Sequence, residues 1–148
     1  MAKVIKTAAP AVFLAHASPM LALEHGGHAA ALRALGERLS RPSAVAIVSA
    51  HWEAPGPIRV TSTQRPPLIY DFGGFPRSLY EMTYPAPGSP ELATEVVGML
   101  GRAGLPAVTE PQRGWDHGVW IPLRLLFPDA SVPIVQVSLP VPRTPELV

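Results

Sequence analysis

The sequence predicts an α/β fold, with a mostly parallel central sheet flanked by helices in three layers. Three observations lead there. Short apolar runs of strand length alternate with segments whose apolar residues recur at helical spacing. The run Ala44-Val45-Ala46-Ile47-Val48-Ser49-Ala50 is apolar on both alternating faces, as expected of a strand covered by helices on both sides. Apolar residues also make up 47% of the 148 positions, enough to bury the core of one domain. No internal repeat or linker interrupts the chain, so residues 1–148 read as a single domain.

The elements follow in order. Ala11-Val12-Phe13-Leu14-Ala15 is a short apolar run and reads as a first buried strand. Ala31, Leu32, Leu35 and Leu39 recur at helical spacing, with Arg33, Glu37 and Arg38 on the other side, which predicts a helix from about His28 to Leu39. Ser40-Arg41-Pro42 ends it. Residues 44–50 form the second strand and Ile58-Arg59-Val60-Thr61-Ser62 a third. From Gln64 to Ser89 the pattern is irregular, with Gly73-Gly74 at the centre of five rings: Tyr70, Phe72, Phe75, Tyr80 and Tyr84. A loop this long in a compact domain is functional or disordered, and so many rings argue against disorder. Ser89-Pro90-Glu91 starts a helix, with a capping hydroxyl, a proline in the first turn and an acid near the positive end of the dipole. Leu92, Val96, Val97 and Leu100 give it an apolar face. Ala107-Val108-Thr109 is a short strand, Val119 to Phe127 a helix, and Pro133 to Leu139 a strong final strand. Thr144-Pro145-Glu146-Leu147 has the form of another helix start, yet the sequence stops at Val148. One turn of helix is not stable alone. Local grammar leaves two readings open: a frayed tail, or the front part of a longer protein.

Composition narrows the function. The formal net charge is +1 and no basic run occurs, so neither nucleic acid nor an anionic membrane is an expected partner. Cysteine is absent, which excludes disulfides, thiolate ligands and a Cys nucleophile, and fits a reducing cytoplasm. A metal here must be held by His, Asp or Glu. No apolar run approaches the roughly 20 residues of a membrane-spanning helix. Lys3, Lys6 and Ala15-His16-Ala17 imitate a secretion signal, but the apolar stretch between them is short and contains Pro10. The 19 prolines are scattered and punctuate loops, stiffening them.

Two of the five histidines hold special positions. His16 follows the first predicted strand and His51 the second. In an open parallel sheet the carboxyl ends of the strands share one edge, where ligands bind. Neighbouring strands lie about 4.8 Å apart, so two imidazoles at adjacent strand ends can converge on one ion. The plainer alternative is a pair of hydrogen-bonded loop residues. His117, in Gly114-Trp115-Asp116-His117-Gly118, has room to reach into a cleft, or else caps the following helix. His25 and His28 flank Gly26-Gly27 and read as exposed capping residues. Glu53 and Asp71 are carboxylates near the same edge. No phosphate-binding glycine loop and no GxSxG elbow is present. Ser18 and Ser49 lie near His16 and His51, so a serine hydrolase stays open on sequence alone.

Five motifs occur in order: His16-Ala17-Ser18-Pro19-Met20, Ser49-Ala50-His51-Trp52, Tyr70-Asp71-Phe72-Gly73-Gly74-Phe75-Pro76, Tyr84-Pro85-Ala86-Pro87-Gly88-Ser89-Pro90 and Trp115-Asp116-His117-Gly118. From about residue 11 to the end, the chain closely resembles class III extradiol ring-cleaving dioxygenases of the DOPA-dioxygenase type, related to the LigB catalytic subunit. The resemblance implies a non-heme Fe(II) site, with zinc as the alternative metal, and a catechol and O2 as substrates. It implies that His16 and His51 are metal ligands and that His117 handles protons and substrate. Tyr70, Phe72 and Phe75 are the expected ring wall of the substrate site. Homo-oligomer formation is left open.

The chain also departs from the family pattern. Members continue well past this length and carry a further active-site His and a third metal ligand there, so the C-terminal portion of the family fold is expected to be missing. That makes the longer-protein reading the stronger one. It also predicts weak Fe(II) binding and little activity for this polypeptide alone, with an exposed sheet edge. Ala17 stands where many members have Gly. Two other readings remain: a non-enzymatic relative of the Memo type, discussed as interaction proteins of this fold, and a zinc-dependent hydrolase using the same histidines. The retained His16, His51 and His117 weigh against the first.

Overall fold

The structure, a computed structural model, describes residues 10–142. A 3-10 helix, Pro19–Leu23, leads into α1 (Gly27–Arg38). There follow β1 (Val45–Pro55), β2 (Ile58–Thr61), the single turn α2 (Arg77–Tyr80), α3 (Pro90–Arg102), β3 (Ala107–Glu110), α4 (His117–Leu126) and β4 (Ile134–Val141). The helix start expected at Thr144 lies outside the described residues.

The four strands form one sheet in the order β1-β4-β2-β3. β1 runs parallel to β4 and β2 parallel to β3, and a single antiparallel pairing, Val60 opposite Val137, joins the two halves. The mostly parallel sheet therefore holds in two of its three pairings. Helices cover both faces. On β4, Ile134 enters the core shared with α1, α4 and the 3-10 helix, while Val135 enters the core beneath α3 with Val60 and Ala93. A strand with such a period reads as continuously apolar because both its faces are buried.

α4 is the central helix of the larger layer. Every residue in it except Arg124 is buried, so it is apolar on all sides. α1 crosses it so closely that a Cβ on Gly36 would fall on the Leu126 carbonyl. Tyr84 ties the irregular stretch to the same helix, donating its hydroxyl to the carbonyls of Leu123 and Phe127. α3 begins as its sequence demands: Ser89 Oγ accepts the N–H of Leu92 at 3.1 Å.

One predicted element is absent. Residues 10–18 form no strand, and Phe13 is 99% exposed. An apolar run of five carries no periodicity that commits it to a strand; only a ladder partner does, and among the described residues this segment has none. Leu14 instead packs sideways against the larger core. β1, meanwhile, runs five residues past the predicted end at Ala50 and holds an outer position in the described sheet, with Ala46, Val48 and Ala50 exposed along one face.

Candidate metal centre

The β1–β4 ladder breaks beside His51. Val48 pairs with Val137 and Glu53 with Leu139, so β1 advances five positions while β4 advances two. The extra residues bulge out of register, and His51 sits among them. Bulges of this kind re-aim a side chain beside a site. His51 thus lies inside a strand rather than beyond its end, and His16 leaves an irregular segment rather than a strand. The expected carriers of both rings are corrected, yet their convergence stands.

His16 Nε2 and His51 Nε2 are 2.8 Å apart. His117, the first residue of α4, completes the cluster: one ring nitrogen from each of the three histidines lies within 4.8 Å of the others. The three rings meet edge to face or tilted, with centroids 4.1 to 5.3 Å apart. His28 is engaged elsewhere, its Nε2 2.6 Å from the Ala15 carbonyl, where it steadies the segment bearing His16.

That segment is strained. Ala17 has φ 57°, in the left-handed region that disfavours any residue with a Cβ. The turn points His16 inward, and Ser18 Oγ then caps the following 3-10 helix by accepting the Met20 N–H at 3.3 Å. Glycine would adopt this conformation at position 17 without that cost.

Two carboxylates support the rings. Asp71 Oδ1 accepts the backbone N–H of His117 at 3.0 Å and lies 2.8 Å from its Nδ1, while Asp71 Oδ2 lies 3.7 Å from His51 Nδ1. Asp116 turns away from His117, as adjacent side chains do. Wholly buried, it accepts from Ser49 Oγ at 2.6 Å, Gln136 Nε2 at 2.5 Å and Arg113 at 3.3 Å. Burial alone would raise the Asp71 carboxyl, but hydrogen bonds from the His117 backbone and ring hold it below its usual range. Burial, then the neighbouring His51 and His117, push His16 down, favouring its neutral form.

The donor set fits a divalent metal of borderline softness. It consists of three imidazoles with a carboxylate behind them and no thiolate. Two ligand nitrogens each about 2.1 Å from an ion, at a right angle, stand about 3 Å apart, close to the His16–His51 spacing.

The aromatic stretch lies alongside. Phe72 meets the His117 ring at 5.6 Å, edge to face, and Phe75 packs on Phe72 at 5.5 Å. Tyr70 rests on Phe72 and Trp120, and its hydroxyl donates to the Met82 carbonyl at 2.6 Å. Neither serine is a free nucleophile: Ser49 donates to Asp116 and accepts the His51 N–H, and Ser18 is a helix cap. Sequence reasoning noted Asp71 only as a nearby carboxylate; its spacing of 46 residues from His117 gave no signal.

Residues 10–147 match the family model of the catalytic LigB subunit of aromatic ring-opening dioxygenase. The chain is 46% identical over 134 residues to a 4,5-DOPA dioxygenase extradiol of Escherichia coli (strain K12), covering 90% of this chain and 48% of that protein. It is 40% identical to a 4,5-DOPA dioxygenase extradiol of Beta vulgaris, covering 85% of this chain and 48% of the relative. A crystal structure of an uncharacterized protein from Escherichia coli K12 superposes with a TM-score of 0.60 at 36% identity, over 78% of this chain and 41% of the other. The chain thus spans about half the length of these relatives. With the family model covering nearly every residue and the histidines of its motifs gathered at one point, this chain belongs to the family of the catalytic LigB subunit of aromatic ring-opening dioxygenases.

Proposed function

We propose that the chain serves extradiol cleavage of a catechol-type, DOPA-like ring by O2, with Fe(II) at the histidine cluster and zinc as the alternative metal. The observation that carries the reading is the 2.8 Å approach of His16 Nε2 to His51 Nε2, beside a third histidine and an aromatic wall. The names of the similar proteins from Escherichia coli and Beta vulgaris support the substrate class.

His16 and His51 are the proposed metal ligands. When bound there, the metal supplies a path for electron density from the two ring oxygens to O2. His117 is the proposed proton-handling group, taking a catechol proton and returning it later. Phe72 and Phe75 are the proposed substrate wall, a reading supported by their packing beside the His117 ring; they would hold an aromatic ring and exclude water. Tyr70 contributes its ring, since its hydroxyl is already committed to Met82. A reducing, cytoplasmic setting belongs to this proposal because the iron must stay ferrous.

The test loads the chain with Fe(II) anaerobically, adds DOPA or catechol and admits air. A yellow ring-opened product is the expected result, faint from this chain alone and strong from a full-length protein that carries these histidines together with the third ligand the resemblance implies. His16→Ala and His51→Ala should lose metal uptake, whereas His117→Ala should keep it and lose turnover. Zinc-supported ester cleavage, with no colour from any catechol under Fe(II), would show the ring-cleavage reading to be wrong.

A further inference from the structure

We infer that Asp71 is a positioning residue: it locks His117 in the tautomer that carries its proton on Nδ1 and so delivers Nε2 as the lone-pair nitrogen to the centre. The inference deepens the proposed reading of the histidine cluster and rests on it for its functional meaning.

The geometry is specific. One oxygen, Asp71 Oδ1, receives both the backbone N–H of His117 at 3.0 Å and the ring Nδ1 at 2.8 Å. The backbone N–H can only donate, so Oδ1 must be an acceptor. A carboxylate without a proton accepts only, so the ring nitrogen facing it must be the one bearing hydrogen. A neutral imidazole has one proton, and Nε2 is left bare. The two bonds also fix the ring's rotation, because they tie backbone and side chain of one residue to one atom. His117 is 6% exposed and cannot turn to water for another partner.

The second oxygen extends the device. Asp71 Oδ2 lies 3.7 Å from His51 Nδ1, whose opposite nitrogen, Nε2, faces His16. One carboxylate therefore stands behind two of the three rings. Carboxylate–histidine pairs of this form fix tautomer and ring direction at metal centres, and losing the carboxylate costs about 10–100-fold in metal affinity or activity. Asp71 sits at the start of the Gly73-Gly74 stretch, so the aromatic wall and the histidine cluster are set by the same loop.

Histidine nitrogen NMR on the metal-free chain tests this directly, at a pH of about 8, above the imidazole titration range. The expected result for the wild type is an Nδ1–H signature at His117; an Nε2–H signature there overturns the inference whatever any variant does. Asp71→Leu should turn His117 into a tautomer mixture. Asp71→Asn, whose amide oxygen can accept the same two N–H groups, should keep the tautomer. An Asp71→Leu protein that folds and retains the pure Nδ1–H form also overturns the inference. The tautomer is read without metal or substrate, so a failed dioxygenase assay and a failed positioning role are separate results.

Discussion

Ser49 Oγ donates a hydrogen bond of 2.6 Å to Asp116 Oδ1 beneath the histidine cluster, joining the bulge of β1 to the start of α4. Ser49 stands two residues before His51, and Asp116 one before His117. The Asp116 carboxylate also receives Gln136 from β4 and Arg113, so three parts of the chain that frame the site share one buried charge.

Asp116→Ala is expected to cost about 3–5 kcal/mol of stability, because it removes a buried charge and leaves the Ser49 hydroxyl and Gln136 amide without an acceptor. Asp116→Asn should cost less. Urea unfolding measures both; a loss under about 1 kcal/mol for the alanine variant would mean that water replaces the carboxylate.

Gly118→Ala should injure the site more than the fold. A Cβ there would stand 2.7 Å from Ser49 Oγ and 2.9 Å from His51 Cδ2. Overpacking of this kind costs about 1–3 kcal/mol, and the group that must move is a proposed ligand. Metal affinity by calorimetry is expected to fall while circular dichroism keeps its native shape.

Ala17→Gly is expected to stabilise the chain. The left-handed conformation at φ 57° costs a residue with a Cβ about 1–2 kcal/mol. Glycine's extra freedom in the unfolded state returns about 0.4–1 kcal/mol of that. A net rise in the urea midpoint is the expected reading, with the slope unchanged.

Acid should weaken the metal-free chain in two windows. His16 is held below its usual 6.5, so as pH falls through 6.5 the unfolded chain takes up a proton that the folded chain resists, and stability drops until the lowered folded value is passed. Asp71 is held below 3.8; its contribution is complete above 3.8 and is lost as pH falls through its folded value. Melting temperature against pH should show both windows, and His16→Gln should flatten the upper one. An unchanged slope just below pH 6.5 in that variant would assign the upper window to another group.

Leu79→Ala and Val48→Ala offer a contrast within one chain. Leu79 is fully buried in the larger core, and its truncation should cost about 2–5 kcal/mol. Val48 is 57% exposed on the open face of β1, and its truncation should stay within about 0.5 kcal/mol. Thermal melts of the two proteins test whether that face is as open in solution.

Much was legible in local pattern. The capping Ser89 and its Pro90-Glu91 placed the start of α3, and the unbroken apolar runs of β1 and β4 announced strands, of which β4 is buried on both faces and β1 on one. Those signals lie within a few residues of one another, where backbone preference and side-chain period act directly. The run Ala11–Ala15 carried the same kind of signal and misled, because being a strand depends on a hydrogen-bonding neighbour that lies far along the chain. The bulge that holds His51 was invisible for the same reason: it is a mismatch between β1 and β4, and neither strand contains it alone.

The amino-acid sequence determined the layered α/β class, the order of most elements and the histidines proposed for the chemistry, since each follows from residue type and short-range spacing. Only the tertiary structure decided how the rings are held. A register break aims His51, a left-handed Ala17 turns His16 inward, and Asp71 reaches across 46 positions to grip His117. Hydrogen-bond direction and ring orientation depend on distances of a few tenths of an ångström between segments remote in the chain, and no local pattern encodes those.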